Sequence, residues 1–316
     1  MKSVRTIIGV AAILAFVGTF LPAASSAPDK VVTIGFQKYG NLILLKGHGG
    51  LDGKLAPLGF RVEWREFASG PPLLEALNAG AIDFGHAGET PPIFAQAAGV
   101  PFVYVAEEPP APKGEAILVP RNSPIKALAD LKSKKIALNK GSNVHFLLVR
   151  ALEKAGVKYS EIEPIYLAPA DARAAFERGA VDAWVIWDPF LAAAEAATGA
   201  RTLTDATGLA PNRQFYLASR KFTDANPSVA DAIIGQIADI DRWADGKEKA
   251  VAEELSAGIG IPAPVLQVAL KRQTYGVQPL DDGAIADQQR IADTFSALGL
   301  VPKHVVVSGV VRKPPS

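Results

Sequence analysis

Loops that lead into helices carry the residues with the clearest chemical potential. The stretch "AGETPPIFAQ" (87–96) ends a predicted strand at Gly88 and places Glu89 and Thr90 before two prolines. Threonine as the N-cap and Pro91 at the first helical position are typical of a helix start. The first N–H groups of a helix have no partner within it and lie at the positive end of its dipole. This loop therefore predicts a binding place for an anion, which Gly88 allows to approach closely.

Two further loops have the same small and hydroxylated composition before a helix. They contain Ser69 and Gly70 before Pro71, and Gly141, Ser142 and Asn143 before the helix that starts in "NVHFLL". If several such ends meet at the carboxyl edges of parallel strands, they form an anion pocket that needs neither arginine nor lysine. The alternative is that each loop is an ordinary helix cap without a ligand.

The segment "WVIWDPF" places Trp187 and Asp188 at the position that corresponds to Glu89 and Thr90. Trp187 is either an apolar wall for an alkyl chain or a core tryptophan of a buried strand. A carboxylate such as Glu89 repels a bound anion, so it is expected to accept backbone N–H groups or to face the opposite domain. His145, near a helix start, is expected to be solvated or to act only behind the residues that contact a ligand.

Motifs of catalysis are missing from the sequence. The four histidines lack H-E-x-x-H spacing, and there is neither a G-x-S-x-G nor a G-x-x-x-x-G-K-[ST] motif. Without cysteine the chain has no thiolate nucleophile, no disulfide and no thiolate-bound metal. A binding protein without cofactor or metal is therefore favoured over an enzyme.

Composition narrows the class and the compartment. The 33 basic residues almost balance 32 acidic ones, and no basic stripe of a nucleic-acid-binding protein is present. At the N-terminus Lys2 and Arg5 precede an apolar run, which ends in small residues near Ala27. This pattern predicts a cleavable signal peptide over residues 1–27 and a periplasmic location, with an uncleaved membrane anchor as the alternative.

Strand and helix patterns alternate after this leader. Strands are predicted at 31–36 and 61–67 and helices at 41–51 and 71–78, which favours an α/β fold with largely parallel sheets. Of 316 residues 49% are hydrophobic, which is enough for two cores.

An internal similarity links residues 73–99 with 172–199. Each segment has a helix ending at glycine, a strand opening at Asp83 or Asp182, and a helix that begins near a proline. The two aspartates are expected to be turn or cap residues. Two similarly built halves follow, although helix–strand–helix units recur in any α/β protein.

The domain boundaries follow from the proline-rich segment 106–120, which predicts a crossing between domains. The prediction assigns residues 28–113 and 219–316 to domain 1 and residues 114–218 to domain 2. From Pro227 onward the pattern is mostly helical and is expected to cover the first domain.

These loops and their surroundings resemble the periplasmic aliphatic sulfonate-binding proteins of ABC importers, a group with taurine- and nitrate-binding relatives. The similar segments include "IGFQKYGNLILLKG", "EFASGPPLLEALNAGAIDFGHAGETPPIFAQAAG", "YLAPADARAAFERGAVDAWVIWDPF" and "LVPKHV". The resemblance extends over nearly all of the chain after the leader. The run "PPIFAQAAG" and the pair "YLAPADARAAF" and "WDPF" are specific to the sulfonate branch.

The resemblance implies a two-domain type II periplasmic-binding-protein fold with a ligand cleft between the domains. It also implies a monomer that passes a small alkanesulfonate to a membrane permease, with taurine, nitrate or a sulfate ester as alternative ligands. In such proteins loop backbone and short polar side chains hold the sulfonate. By resemblance these positions are Gln37, Ser69, Gly70, Glu89, Thr90, Gly141, Ser142, Asn143, Trp187 and Asp188. Glu89 stands where an aspartate is expected, and "GSNVHF" replaces a run richer in serine.

Overall fold

A computed structural model describes residues 30–313, so the predicted signal peptide lies outside the described residues. These residues form two five-stranded sheets with helices on their faces. The strands are β1 (Lys30–Phe36), β2 (Phe60–Glu66), β3 (Phe84–Gly88), β4 (Phe102–Glu107), β5 (Glu115–Val119), β6 (Lys135–Leu138), β7 (Glu163–Tyr166), β8 (Ala183–Trp187), β9 (Arg201–Asp205) and β10 (Gln214–Ser219).

The α-helices alternate with the strands until β10 and then follow one another. They are α1 (Asn41–His48), α2 (Leu51–Leu55), α3 (Gly70–Asn78), α4 (Thr90–Ala97), α5 (Asn143–Lys154), α6 (Pro169–Glu177), α7 (Phe190–Thr198), α8 (Arg220–Ala225), α9 (Pro227–Ala244), α10 (Glu248–Ile259), α11 (Ala263–Leu270) and α12 (Asp282–Ala297). Among the residues described, no helix combines the length and the apolar character needed to cross a membrane.

The two sheets have the same plan. Their strand orders are β2-β1-β3-β10-β4 and β7-β6-β8-β5-β9. In each sheet four strands run in one direction, and the fourth position holds the one antiparallel strand, β10 or β5. That antiparallel strand is the one that arrives directly from the other sheet. The α/β class with largely parallel sheets is therefore confirmed.

The chain changes sheet twice. The first change lies between β4 and β5, within the proline-rich segment that predicts a crossing. The second precedes Gln214, because Gln214–Ala218 pairs with Gly88–Phe84 of the first sheet. The predicted boundary between 218 and 219 thus cuts β10, whose sequence QFYLAS gives no sign of the sheet that the strand joins.

The internal similarity corresponds to matching units, α3-β3-α4 and α6-β8-α7. Asp83 Oδ2 accepts the N–H of Thr33 at 2.9 Å, and Asp182 Oδ2 accepts the N–H of Lys135 at 2.8 Å. Each aspartate thus ties the start of a central strand to its parallel neighbour. The prediction that both are turn or cap residues, not ligands, agrees with these bonds.

Two predicted helix boundaries differ from the structure. The helix expected over 41–51 is divided into α1 and α2, because Gly49 and Gly50 take left-handed φ values of 80° and 93°. Thr90 is the first residue of α4, preceded by Glu89 at the N-cap, and no side chain caps this helix. The Thr90 hydroxyl is therefore not used for capping.

The helices after Pro227 cover the first sheet, as expected, and also reach the second. α9 and α10 share an apolar core with β1 and α1, whereas α11 packs against α7 and α12 against α4. The C-terminal segment therefore contacts both halves at the edges where their loops meet.

Candidate functional site

A cavity that is open to solvent lies where the two sheets face each other. Its polar wall combines the loop after β1, both crossings, the residues after β8 and the segment that follows α11. The polar or loop residues are Lys38, Tyr39, Gly40, Asn41, Glu108, Pro109, Ala111, Gly114, Asp188, Pro189, Asn212, Gln214, Arg272, Gln273, Thr274 and Tyr275.

The opposite wall of the cavity is apolar. Its aliphatic side chains come from α1, from α10 and the neighbouring α11: Ile43, Leu44, Val251, Leu255, Ile259, Leu266, Ala269 and Leu270. Most of them are nearly inaccessible to solvent. A molecule with a polar head and a short aliphatic tail matches this division.

The polar wall is held by buried side chains around the start of α1. Asn41 Nδ2 donates to Glu108 Oε1 at 3.0 Å and to Asp241 Oδ1 at 2.6 Å. Tyr216 donates its hydroxyl to the same Glu108 oxygen at 2.7 Å. Gly40 precedes the helix with φ 73°, and a side chain at this position would overlap Gln214. The wall thus brings polar groups of the first sheet and its crossings against the N-terminal end of α1, which no side chain caps.

Asp188 is the one predicted site residue that lines this cavity. Its Oδ1 accepts the N–H of Ala192 in the first turn of α7 at 3.0 Å. Its Oδ2 lies 3.4 Å from the Nη1 atom of Arg272, a residue that follows α11. Asp188 is therefore fixed by its own helix. It also faces a cation from the C-terminal segment after β10, which is counted with the first-sheet side because most of its helices share a core with the first sheet.

Glu89, Thr90 and Asn143 lie together at the closest approach of the two sheets, rather than on the cavity wall. A methyl group on Gly88, at the end of β3, would lie 2.8 Å from Asn143 Oδ1. Asn143 Nδ2 donates to Glu115 Oε2 at 2.5 Å and to Asn212 Oδ1 at 2.9 Å. The predicted loops of the two halves therefore do meet, but they lie against each other instead of lining the cavity.

The predicted amide donors of the loop before α5 are already in use. Gly141 donates its N–H to His145 Nδ1, and Ser142 donates to the carbonyl of Asn139, both at 3.3 Å. In the first turn of α5, His145 donates its N–H to the carbonyl of Ser142 at 3.0 Å, so only the N–H groups of Asn143 and Val144 remain there without a backbone acceptor among the described residues. Only part of the expected set of amide donors is thus available at this end.

Four other predicted residues support the walls without reaching the cavity. Gln37 donates its amide to the carbonyl of His86 at 3.0 Å. Gly70, next to the buried Ser69, packs on the ring of Pro91 so closely that an added Cβ would lie 2.7 Å from its Cγ. Trp187 is 4% exposed in the core around β8, so the structure favours its interpretation as a core tryptophan.

His145 is fully buried, which excludes the solvated alternative of its prediction and leaves a residue behind those that contact a ligand. Its Nε2 lies 2.9 Å from the hydroxyl of Tyr159. Phe94 and Phe295, from the first-sheet side, pack on its ring with centroid distances of 6.4 and 5.1 Å. Burial lowers the pKa of His145 to about 4, which keeps the ring neutral at neutral pH.

Buried acids are the main feature that the sequence did not predict. Burial raises the pKa of Glu89 to about 8, that of Glu108 to about 9 and that of Asp188 to about 7. Burial, followed by the charge of Glu89, also raises the pKa of Glu115. Burial and these four acids together raise the pKa of Tyr39, a residue that also lines the cavity. Glu108 and Glu115 flank the proline-rich crossing. This position next to a predicted domain crossing is the sequence feature from which their burial could have been predicted.

The oxygens of these acids are only partly paired. Glu89 Oε2 accepts the N–H of Arg213 at 3.0 Å, but Glu89 Oε1, Glu108 Oε2, Glu115 Oε1 and the Thr90 hydroxyl have no partner among the described residues. A protonated carboxyl loses less by such burial than a carboxylate does. No group of three or more His, Asp or Glu suited to a metal ion is found over residues 30–313.

We expect Glu89 to make stability fall as pH rises from about 4.5 to about 8. The folded state keeps the proton that the unfolded state releases near the ordinary glutamate pKa of 4.5, until the folded-state pKa of about 8 is passed. Glu89→Gln removes this proton uptake, so its midpoint of urea unfolding should depend less on pH over this range. Glu63→Gln, at an exposed position, is the control. An equal pH dependence in wild type and Glu89→Gln would contradict the assignment.

Comparison with known proteins shows the family. The sequence profile of the NMT1-like family matches residues 25–260. An aliphatic sulfonates-binding protein of Escherichia coli K12 is 44% identical over 300 residues, covering 94% of this chain and 93% of the relative. A taurine-binding periplasmic protein of the same organism is 28% identical over 229 residues, covering 69% of this chain and 70% of the relative.

A solved structure supports the same relationship. The alkanesulfonate-binding protein SsuA from Xanthomonas axonopodis pv. citri, bound to MOPS, superposes with a TM-score of 0.87 at 41% identity, covering 92% of this chain and all of that one. Two proteins with this level of identity over nearly the whole of both chains share the same fold. The chain belongs to the NMT1-like family and, within it, to the periplasmic aliphatic sulfonate-binding proteins, whose two-domain α/β fold it shares.

Proposed function

We propose that this protein captures an alkanesulfonate outside the cytoplasm and delivers it to the membrane permease of an ABC importer. One observation carries the proposal: a single cavity joins a polar wall from both sheets to an aliphatic wall from α1, α10 and α11. An alkanesulfonate has the same two parts. Its relatives named for aliphatic sulfonates, at 44% and 41% identity, support this ligand class.

The sulfonate group fits the polar wall at the start of α1. A sulfonate is charged at all physiological pH values and offers three acceptor oxygens but no proton. An uncapped helix N-terminus supplies unpaired N–H donors and a favourable dipole for such an anion. The tail then lies along α10 and α11, where its burial contributes about 0.8 kcal/mol per methylene.

In this proposal the predicted residues divide into three roles. Asp188 lines the cavity; Glu89, Thr90, Gly141, Ser142 and Asn143 shape the contact that closes it; Gln37, Ser69, Gly70 and Trp187 support the walls. Closure of the two halves around a ligand is the expected motion of this fold. We further infer cleavage of the leader near residue 27, a periplasmic location and a monomeric protein.

The binding role is favoured over an enzyme built on the same scaffold. That hypothesis calls for histidine or cysteine at the cleft, where a nucleophile or base can reach a substrate. In the part of the chain that the structure describes, the residues lining the cavity include neither. The nearby His86 is buried, and burial lowers its pKa to about 3, so it is a poor proton acceptor.

An aminosulfonate such as taurine is a second candidate ligand. Glu108 and Asp188 both line the cavity, and either acid, once ionised, could pair with an ammonium group. Ethanesulfonate and taurine differ only by this amine and therefore form a matched pair. Tighter binding of taurine in a direct competition would favour the second candidate.

Calorimetric titration of the protein without its leader tests the proposal. Ethane-, pentane- and hexanesulfonate at neutral pH should each release or absorb heat, with affinity rising along the series as more methylenes are buried. Nitrate and a sulfate ester complete the panel, because the related families include other oxyanions. If no sulfonate gives heat or a thermal shift, the proposed function is rejected.

Gly88→Ala should weaken sulfonate binding about tenfold, since the added methyl group overpacks the contact that closes the cleft. Asn143 cannot move aside without losing its bonds to Glu115 and Asn212. Gly235→Ala, where an added Cβ meets nothing within 4 Å, is the matched control. Calorimetry gives the affinities and thermal unfolding confirms the fold. Unchanged affinity in folded Gly88→Ala would show that this contact is not part of the bound state.

Ala269→Leu should weaken hexanesulfonate binding about tenfold while changing ethanesulfonate little, because the larger side chain fills space along the tail wall. Ala269 lines the cavity, and the adjacent Val268, 44% exposed, points away from the core. Val268→Leu is therefore the control and should bind both ligands as the wild type does. An equal loss for both ligands in Ala269→Leu would place the tail elsewhere.

A further inference from the structure

Arg272 is a cation of the cavity wall that the sequence motifs do not indicate. It follows α11, on the first-sheet side, and its side chain is 22% exposed. Lys38 is the other basic residue that lines the cavity. The Lys38 ammonium group lies 3.9 Å from Glu66 Oε1 and donates to the carbonyl of Ile259 at 3.5 Å, and its side chain is 36% exposed. Of the two, Arg272 is thus the more buried charge.

The guanidinium of Arg272 spans from the first-sheet side to two acids of the second-sheet side. Its Nη2 donates to Glu195 Oε2 at 2.7 Å, a strong charge-assisted hydrogen bond. Its Nη1 reaches Asp188 Oδ2 only at 3.4 Å, a long contact. The half of the planar fork that contacts Glu195 is therefore firmly held, and the half that contacts Asp188, a cavity-lining residue, is weakly held.

Asp188 already has a separate role, since its other oxygen accepts the N–H of Ala192. Losing Nη1 of Arg272 would leave this bond intact. Burial raises the pKa of Asp188 to about 7, so near neutral pH the carboxyl takes a proton readily and then no longer needs a cation. An anion that stays ionised at neutral pH can therefore replace Asp188 as the partner of Arg272 Nη1.

We propose that Arg272 binds the sulfonate group directly and that Asp188 occupies its Nη1 position only until the ligand arrives. This inference rests on the proposed function and adds a residue that sets its preference for anions. Glu195 keeps the guanidinium oriented throughout. Because Arg272 belongs to the first-sheet side and its acidic partners to the second, the bound anion also joins the two halves.

The neighbouring residue supports this placement. Gln273 donates its side-chain amide to Asn41 Oδ1, at the first turn of α1. The segment after α11 is thereby held against the helix start that the proposed function assigns to the sulfonate group. A guanidinium and a helix N-terminus are complementary donors for three oxygens, since each supplies N–H groups from a different direction.

Four variants and the wild type, titrated with pentanesulfonate at pH 7, test the inference. Arg272→Gln should bind about 30-fold more weakly, because a charge-assisted pair is lost. Arg272→Lys keeps the charge without the fork and should fall between it and the wild type. Arg242→Gln, a surface arginine on α9, should bind as the wild type does.

Asp188→Asn gives the decisive result, because two roles for Arg272 predict opposite signs. Asparagine keeps an oxygen for the N–H of Ala192 but no longer competes as an anion, so affinity should rise about threefold or more. If Arg272 only ties the two halves together, Asp188→Asn removes part of that tie and weakens binding. Thermal unfolding of each ligand-free variant confirms that it is folded.

The outcomes separate this inference from the proposed function. Loss in Arg272→Gln together with gain in Asp188→Asn supports a direct contact between Arg272 and the sulfonate. Wild-type binding with unaltered affinity in Arg272→Gln overturns the inference alone. So does unchanged or lower affinity in Asp188→Asn. A wild type that binds no sulfonate overturns the proposed function and this inference with it.

Discussion

The close contact between Gly88 and Asn143 fixes how the two halves of this protein face each other. Glycine at the end of β3 lets the second half approach until the Asn143 side chain fills the space of a missing Cβ. The bonds from Asn143 to Glu115 and Asn212 then tie that contact to both crossings. The cavity is the space left beside this junction, so its shape depends on the junction remaining closed.

Local sequence patterns predicted the architecture because the fold repeats a locally encoded unit. A helix ending at glycine, a strand opening at aspartate and a second helix near a proline occur once per sheet, and each aspartate bonds to the neighbouring parallel strand. The boundary of the second crossing was misplaced for a related reason. β10 is an apolar strand whose pairing with β3 and β4 is a long-range property, and no local residue marks the sheet that it joins.

The candidate site could be predicted only where its residues lie in the loops of that repeated unit. Asp188, Glu89, Thr90 and Asn143 were all named in this way; Asp188 lines the cavity, and the other three lie beside it where the two halves meet. Most of the aliphatic wall comes from α10 and α11, and Arg272 follows α11, about two hundred residues or more along the chain from α1. Nothing in the local pattern of α10 or α11 shows that one face lines a cavity, because a core-facing helix has the same periodicity. Trp187 shows the same ambiguity for a strand, since a core tryptophan and one that lines a ligand site look alike in sequence.

A cavity with acids on its walls can still accept an anion if those acids do not carry their charge. Burial raises the pKa of Glu108 to about 9, which favours its neutral form at neutral pH, and that of Asp188 to about 7, at which both forms are populated. A sulfonate, in contrast, cannot be neutralised by a proton and must be matched by donors or by a cation. In the same low-dielectric surroundings, the buried acids can therefore lose their charge by taking up a proton, whereas the sulfonate must be paired with hydrogen-bond donors or a cation. This difference explains how one wall can combine carboxyl groups, a helix N-terminus and a guanidinium without repelling a strong acid's anion.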